Sequence, residues 1–201
     1  MRAVKSLFPV FFALVSLWSS VAMAAAPPKL QPGRYEAVVS RSRVAAFVRT
    51  TLHDFETLAP EFSGELVFPK AGGVKKARLA LRFKTGSMTT DNSMRDWVMR
   101  DDVLEVAEFP LAVFRSKGVA FWGGKKGAYR FRVRGDFSIH GVTREISALV
   151  RLSVKAGEII AESVFPIRRS DYKIEAPSPL PFLRTEDVVE IRVKIVFRRK
   201  N

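Results

Sequence analysis

The chain has 201 residues, a formal net charge of +14 and no cysteine. That length fits one domain with a core of ordinary size. Without thiols there are no disulfide staples, no thiol catalysis and no cysteine-ligated zinc, and the strong positive charge favours encounters with polyanions.

The chain opens with Arg2 and Lys5, then a nearly uninterrupted apolar stretch from Leu7 to Val21, then Ala22-Met23-Ala24. A basic start, an apolar segment and a small-x-small site are the three parts of a secretory signal peptide. The apolar stretch is about 15 residues, short of the ~20 that cross a bilayer, so a cleaved leader fits better than a permanent anchor. Residues 1–24 are therefore expected to be removed, with Ala26 as an alternative cleavage point, leaving a periplasmic domain over 25–201. An exported chain meets phospholipid headgroups, anionic glycolipids and isoprenoid pyrophosphates, and nucleic acid is not expected as a partner.

Beyond the Pro-rich stretch Ala26 to Gly33, the dominant period is two, the mark of strands with one buried face. Strands are predicted over Tyr35–Ser40, Val44–Thr50, Glu61–Phe68 and Arg78–Lys84, where Leu79, Leu81 and Phe83 alternate with Arg78, Ala80, Arg82 and Lys84. Thr90-Asp91-Asn92 then offers N-cap residues, and Met94, Trp97 and Val98 share one face of a short helix ending near Leu104. Strands resume at Leu111–Ser116, Val119–Trp122 and Tyr129–Arg134, where Tyr129, Phe131 and Val133 alternate with Arg130, Arg132 and Arg134. Ile146–Val154 and Ile159–Phe165 follow. Ser170–Thr185, with Pro177, Pro179 and Pro181, is expected to be a long loop before a final strand over Val189–Phe197. Glycine-rich turns at Gly72-Gly73, Gly123-Gly124, Gly141 and Gly157 separate them, a spacing that suits a sandwich or an up-and-down barrel.

Four stretches carry a resemblance to a known family. The first is Ser42-Arg43-Val44-Ala45-Ala46-Phe47, followed by Thr51-Leu52-His53-Asp54-Phe55 and Phe62-Ser63-Gly64-Glu65-Leu66. The second runs from Asp91 through Met99-Arg100-Asp101-Asp102-Val103-Leu104-Glu105-Val106 into Phe109-Pro110-Leu111. The third and most specific is Gly135-Asp136-Phe137-Ser138-Ile139-His140-Gly141-Val142-Thr143. The fourth is Arg169-Ser170-Asp171-Tyr172-Lys173-Ile174, in which Lys173 replaces a glycine. From about Tyr35 to its end the chain resembles the YceI-like, polyisoprenoid-binding, lipocalin-like barrel family. The resemblance implies an all-β, eight-stranded antiparallel lipocalin-like barrel with one short helix near one end. It also implies an elongated apolar pocket for an isoprenoid or another lipid-like chain. An eight-stranded barrel either fills its interior with side chains or holds one slim ligand.

If the barrel is hollow, the expected lining is Phe47, Phe55, Phe109, Phe114 and Phe131, which Phe62 and Phe83 could join, with Met94, Trp97 and Leu104 over the mouth. His53, Arg95 or Arg100 would then meet a polar head group. His140, in a turn motif, is expected to bond nearby backbone rather than a ligand. Asp101 and Asp102 are neighbours on a helix, about 100° apart, and cannot clamp one substrate atom, so a helix-end or network role is expected. No catalytic residue, metal site or cofactor is assigned, since no phosphate loop or nucleophile elbow is present. The expected function is a non-enzymatic carrier for an apolar ligand, monomeric or homodimeric, with transient contact to an anionic membrane surface. The rival reading is a solidly packed interaction protein that docks through its Arg130, Arg132 and Arg134 ladder. An enzyme on the same scaffold is a third reading.

Overall fold

Alternation of apolar and basic residues sets the architecture, because each strand can bury one face only by closing on its neighbours. The structure is a computed structural model that describes residues 30–71, 73–125, 127–176 and 184–200. The expected leader and its cleavage site lie outside the described residues. Ten strand segments follow in order: β1 Gly33–Ala37, β2 Arg43–Val48, β3 Phe55–Leu58, β4 Phe62–Phe68, β5 Arg78–Lys84, β6 Leu111–Lys125, β7 Ala128–Ile139, β8 Val142–Lys155, β9 Glu158–Arg168 and β10 Val188–Arg199. All pairings are antiparallel, and β1 pairs with β10 to close the sheet.

The ten segments occupy eight barrel positions. Both β1 and β2 pair with β10, β1 at Tyr35↔Arg199 and β2 at Val193↔Val44, so they are two halves of one position parted by a 3-10 turn at Val39–Arg41. Ser42 bridges the break: its hydroxyl donates to the Val38 carbonyl at 2.8 Å and accepts from the Val196 amide at 3.0 Å. Buried backbone groups need partners, and here a side chain supplies what the ladder does not. β3 and β4 likewise share the next position, pairing with β2 and β1 respectively. The fold is a closed eight-stranded antiparallel barrel with one short helix.

Two expectations change in detail. Leu111–Ser116 and Val119–Trp122 are one strand, β6, whose register against β7 shifts between Ser116 and Gly118. An extra residue kinks a strand without ending it. β3 was not among the expected strands. The long loop after β9 opens with a 3-10 turn at Ser170–Tyr172, and its prolines lie in residues 177–183, outside the described residues.

One end of the barrel is solid. Tyr35, Leu66, Phe68, Phe131, Leu152 and Ile159 are buried there, with Tyr35 edge-on to Phe68 at 5.7 Å and Phe121 to Phe131 at 5.5 Å between ring centroids. At the other end sits helix α1, Ser93–Val98, capped by the Asn92 side chain, which accepts from the Arg95 amide at 3.0 Å. A π-helical turn, Met99–Val103, continues it and closes with the Leu104 amide on the Met99 carbonyl at 2.9 Å.

Candidate functional site

Between the solid end and α1 the side chains leave a cavity of about 900 Å³. That is within the range of about 300–1,000 Å³ found for ligand sites. Its walls come from the inward faces of the strands: Leu81 and Phe83 on β5, Phe114 on β6, Ile146, Ala148 and Val150 on β8, Ala161, Phe165 and Ile167 on β9, and Ile191 and Val193 on β10. Gly135 makes room in this wall: a Cβ there would lie 2.3 Å from the Arg115 carbonyl and 2.7 Å from the Phe114 ring.

Polar groups gather at the mouth beneath α1. Arg95 lies 4.3 Å above the Phe55 ring centroid, and its guanidinium is 3.1 Å from His53 Nε2. Thr50 bridges to Thr185, tying the β2–β3 loop to the approach of β10. Arg169 fixes the facing segment by donating to the carbonyls of Ile174, Glu186 and Thr185 at 2.9, 3.0 and 3.2 Å.

The helix itself is anchored by Asp96, which is buried. Its carboxylate accepts from the Thr89 hydroxyl at 2.6 Å, the Thr90 amide at 2.6 Å and the Thr90 hydroxyl at 2.7 Å, with Arg100 3.6 Å away. Burial alone would raise its pKa, but these hydrogen bonds and the Arg100 charge outweigh it and hold the group below the usual carboxylate value. A second tie lies beside it. His140 Nδ1 donates to the Tyr172 carbonyl at 3.2 Å, the backbone role expected for it, and Nε2 lies 2.6 Å from Glu105 Oε2. Among the described residues no three acidic or histidine side chains form a metal-ligating cluster, and no helix is long and apolar enough to cross a membrane.

The match to a YceI-like domain model covers residues 35–197. The chain belongs to the YceI-like family. Curated relatives include UPF0312 proteins of Shewanella denitrificans, 34% identical over 88 residues (43% of this chain, 44% of the relative), and of Azotobacter vinelandii, 32% identical over 102 residues (50% and 47%). The chain spans about half the length of these curated relatives. Two solved structures share the YceI-like fold. BcnA of Burkholderia cenocepacia matches with a TM-score of 0.70 and 20% identity, over 80% of this chain and 98% of BcnA. A polyisoprenoid binding domain from Saccharophagus degradans matches with a TM-score of 0.68 and 17% identity, over 85% of this chain and all of that one.

Within this YceI-like barrel the expected site residues divide. His53, Phe55, Met94, Leu104 and Phe114 stand on the cavity wall or rim. Four others do not. Phe47 faces outward under Arg192, 4.4 Å from its ring centroid. Trp97 is 56% exposed and turns away from the mouth. Phe109 packs on His140, with 4.7 Å between ring centroids, and Phe131 belongs to the solid end. Arg100, offered for a head group, instead donates twice to the Met88 carbonyl at 3.0 and 2.6 Å. The lining that went unnamed is largely aliphatic, on β8, β9 and β10. Its signal lies in the inward positions of those strands, where a period of two marks burial but does not separate a lumen wall from packed core. Asp101 and Asp102 are exposed, and the carboxylate that does organise a network is Asp96.

Proposed function

We propose that this chain is an exported binding protein that carries a polyisoprenoid or a similarly long apolar chain through the periplasm. The observation that carries the reading is the apolar cavity of about 900 Å³, open under α1 and closed at the far end. Each methylene moved into such a space from water gains ~0.8 kcal/mol, so a long chain is held without any specific polar contact. A carrier of this kind needs no catalytic group. The likeness to a structure described as a polyisoprenoid binding domain supports the ligand class, and the signal-peptide pattern read in residues 1–24 supports export. The hollow lumen argues against a solidly packed interaction protein.

Native mass spectrometry of the protein purified from its own host, followed by organic extraction, tests both parts. A stoichiometric co-purified lipid, on a chain whose mass begins near Ala25, is the expected result. An empty protein that takes up neither isoprenoids nor fatty acids on incubation would overturn the ligand reading. A mass that includes residues 1–24 would overturn the cleaved leader.

A further inference from the structure

The outer wall formed by β5 to β8 carries a chemistry that the cavity does not use. Alternation sends Arg82, Arg115, Arg130, Arg132, Arg134 and Arg151 outward, and all six are exposed. Only Arg134, 3.8 Å from Glu145, has a carboxylate within ion-pair distance among the described residues. Arg130 stands directly opposite Arg151 in the β7–β8 register. Like charges facing each other across strands are destabilising, and although Glu162 stands opposite Arg151 on its other side, that carboxylate is 3.6 Å from Lys194, so a bound anion would still relieve the Arg130–Arg151 repulsion. Next to it Trp122, 53% exposed, lies under Arg132 at 4.0 Å from the ring centroid, and Leu149, opposite Arg132, is 44% exposed.

We infer that this wall docks on an anionic phospholipid surface. Two features together favour a phospholipid bilayer, the first pointing to phosphate and the second to a headgroup interface. Guanidinium forks match phosphate oxygens, and the cations concerned are arginines. Tryptophan is the residue that settles at the headgroup level, and Trp122 stands among those cations with an apolar neighbour in Leu149.

The orientation follows from charge. The segment over the mouth carries Asp91, Asp101, Asp102, Glu105 and Glu108 exposed, against Arg95 and Arg100. An anionic surface repels that end and attracts the wall, so the barrel lies on its side with the mouth lifted clear. The inference rests on export bringing the chain to a membrane, and it does not depend on what fills the cavity.

Flotation with phosphatidylethanolamine vesicles, with and without phosphatidylglycerol, tests it. The protein should bind only the anionic vesicles and come off as salt shortens the screening length from about 8 Å to about 3 Å. Reversal of three unpaired charges (Arg130→Glu, Arg132→Glu, Arg151→Glu) should weaken binding by about a hundredfold or more. Orientation is read from single-tryptophan proteins, in a Trp18→Phe background, by quenching with brominated lipid. Trp122 should be quenched and Trp97 should not. This readout leaves the arginines in place, so it holds even if the charge-reversed protein folds poorly.

Quenching of Trp97 alone would overturn the side-on orientation. Absence of vesicle binding would overturn the docking, as would equal binding to DNA or heparin with no burial of Trp122. None of these results bears on whether a lipid co-purifies in the cavity, which is read separately.

Discussion

Asp96 holds the helical cap from a position that sequence patterning left unmarked. Three short hydrogen bonds converge on a side chain that is only 11% exposed. Asp96→Asn keeps one acceptor oxygen but replaces the other with an amide donor facing a threonine hydroxyl and takes the counter-charge from Arg100, and it should cost about 1–3 kcal/mol in urea unfolding at neutral pH. Because its pKa is depressed in the folded state, this contribution is complete above the unfolded value of about 3.9 and is lost as pH falls through the folded value. Asp96→Asn should therefore lie closest to the parent in acid and furthest from it at neutral pH. An unchanged gap across that range would show that the carboxylate's charge is not what matters. Lys173 is a second such point. It stands where the family pattern has glycine, and it sits at φ +57°, in the left-handed region. Relief of about 1–2 kcal/mol of strain, less the ~0.4–1 kcal/mol of added chain entropy, predicts that Lys173→Gly stabilises the fold by up to about 1.5 kcal/mol. Destabilisation in the same assay would mean that the Lys173 side chain contributes contacts of its own.

At the scale of elements, the period-two strands and the capped helix were legible, because burial of one face leaves its mark on every second residue. The breaks were not. Nothing in the alternation announces that Ser42 will substitute for the ladder between β1 and β2, or that four residues at Phe55–Leu58 pair with β2. The lining was legible in part. A lumen is defined by what is small as much as by what is large, and Ala148 and Ala161 open space that the phenylalanines do not fill. Substituting Ala148→Phe should place a ring in that space, leaving the barrel folded while the co-purified lipid seen by native mass spectrometry falls away. Phe47→Ala, on the outer wall, should leave the lipid in place. Retention of lipid by Ala148→Phe would shift the site elsewhere along the lumen.

At the scale of the whole molecule, one set of strands carries two separate chemistries. On β7, Arg130, Arg132 and Arg134 face outward, while Val133 faces the cavity and Phe131 the solid end. A ligand that binds only the folded protein adds stability by mass action, about 2.7 kcal/mol at a hundred times its dissociation constant. For a domain of this size that corresponds to a rise of roughly 5–10 °C in Tm. Delipidated protein should therefore melt several degrees below the loaded form and recover on adding back the extracted lipid. The wall variants should show the same loss and recovery, since their substitutions lie across the backbone from the lumen. Ala148→Phe should show neither, because its ring obstructs the lumen that a long chain must occupy. If the wall variants lost the thermal response while Ala148→Phe kept it, the ligand would be binding to the outer arginines, and the cavity would be a packing defect at one end of the barrel.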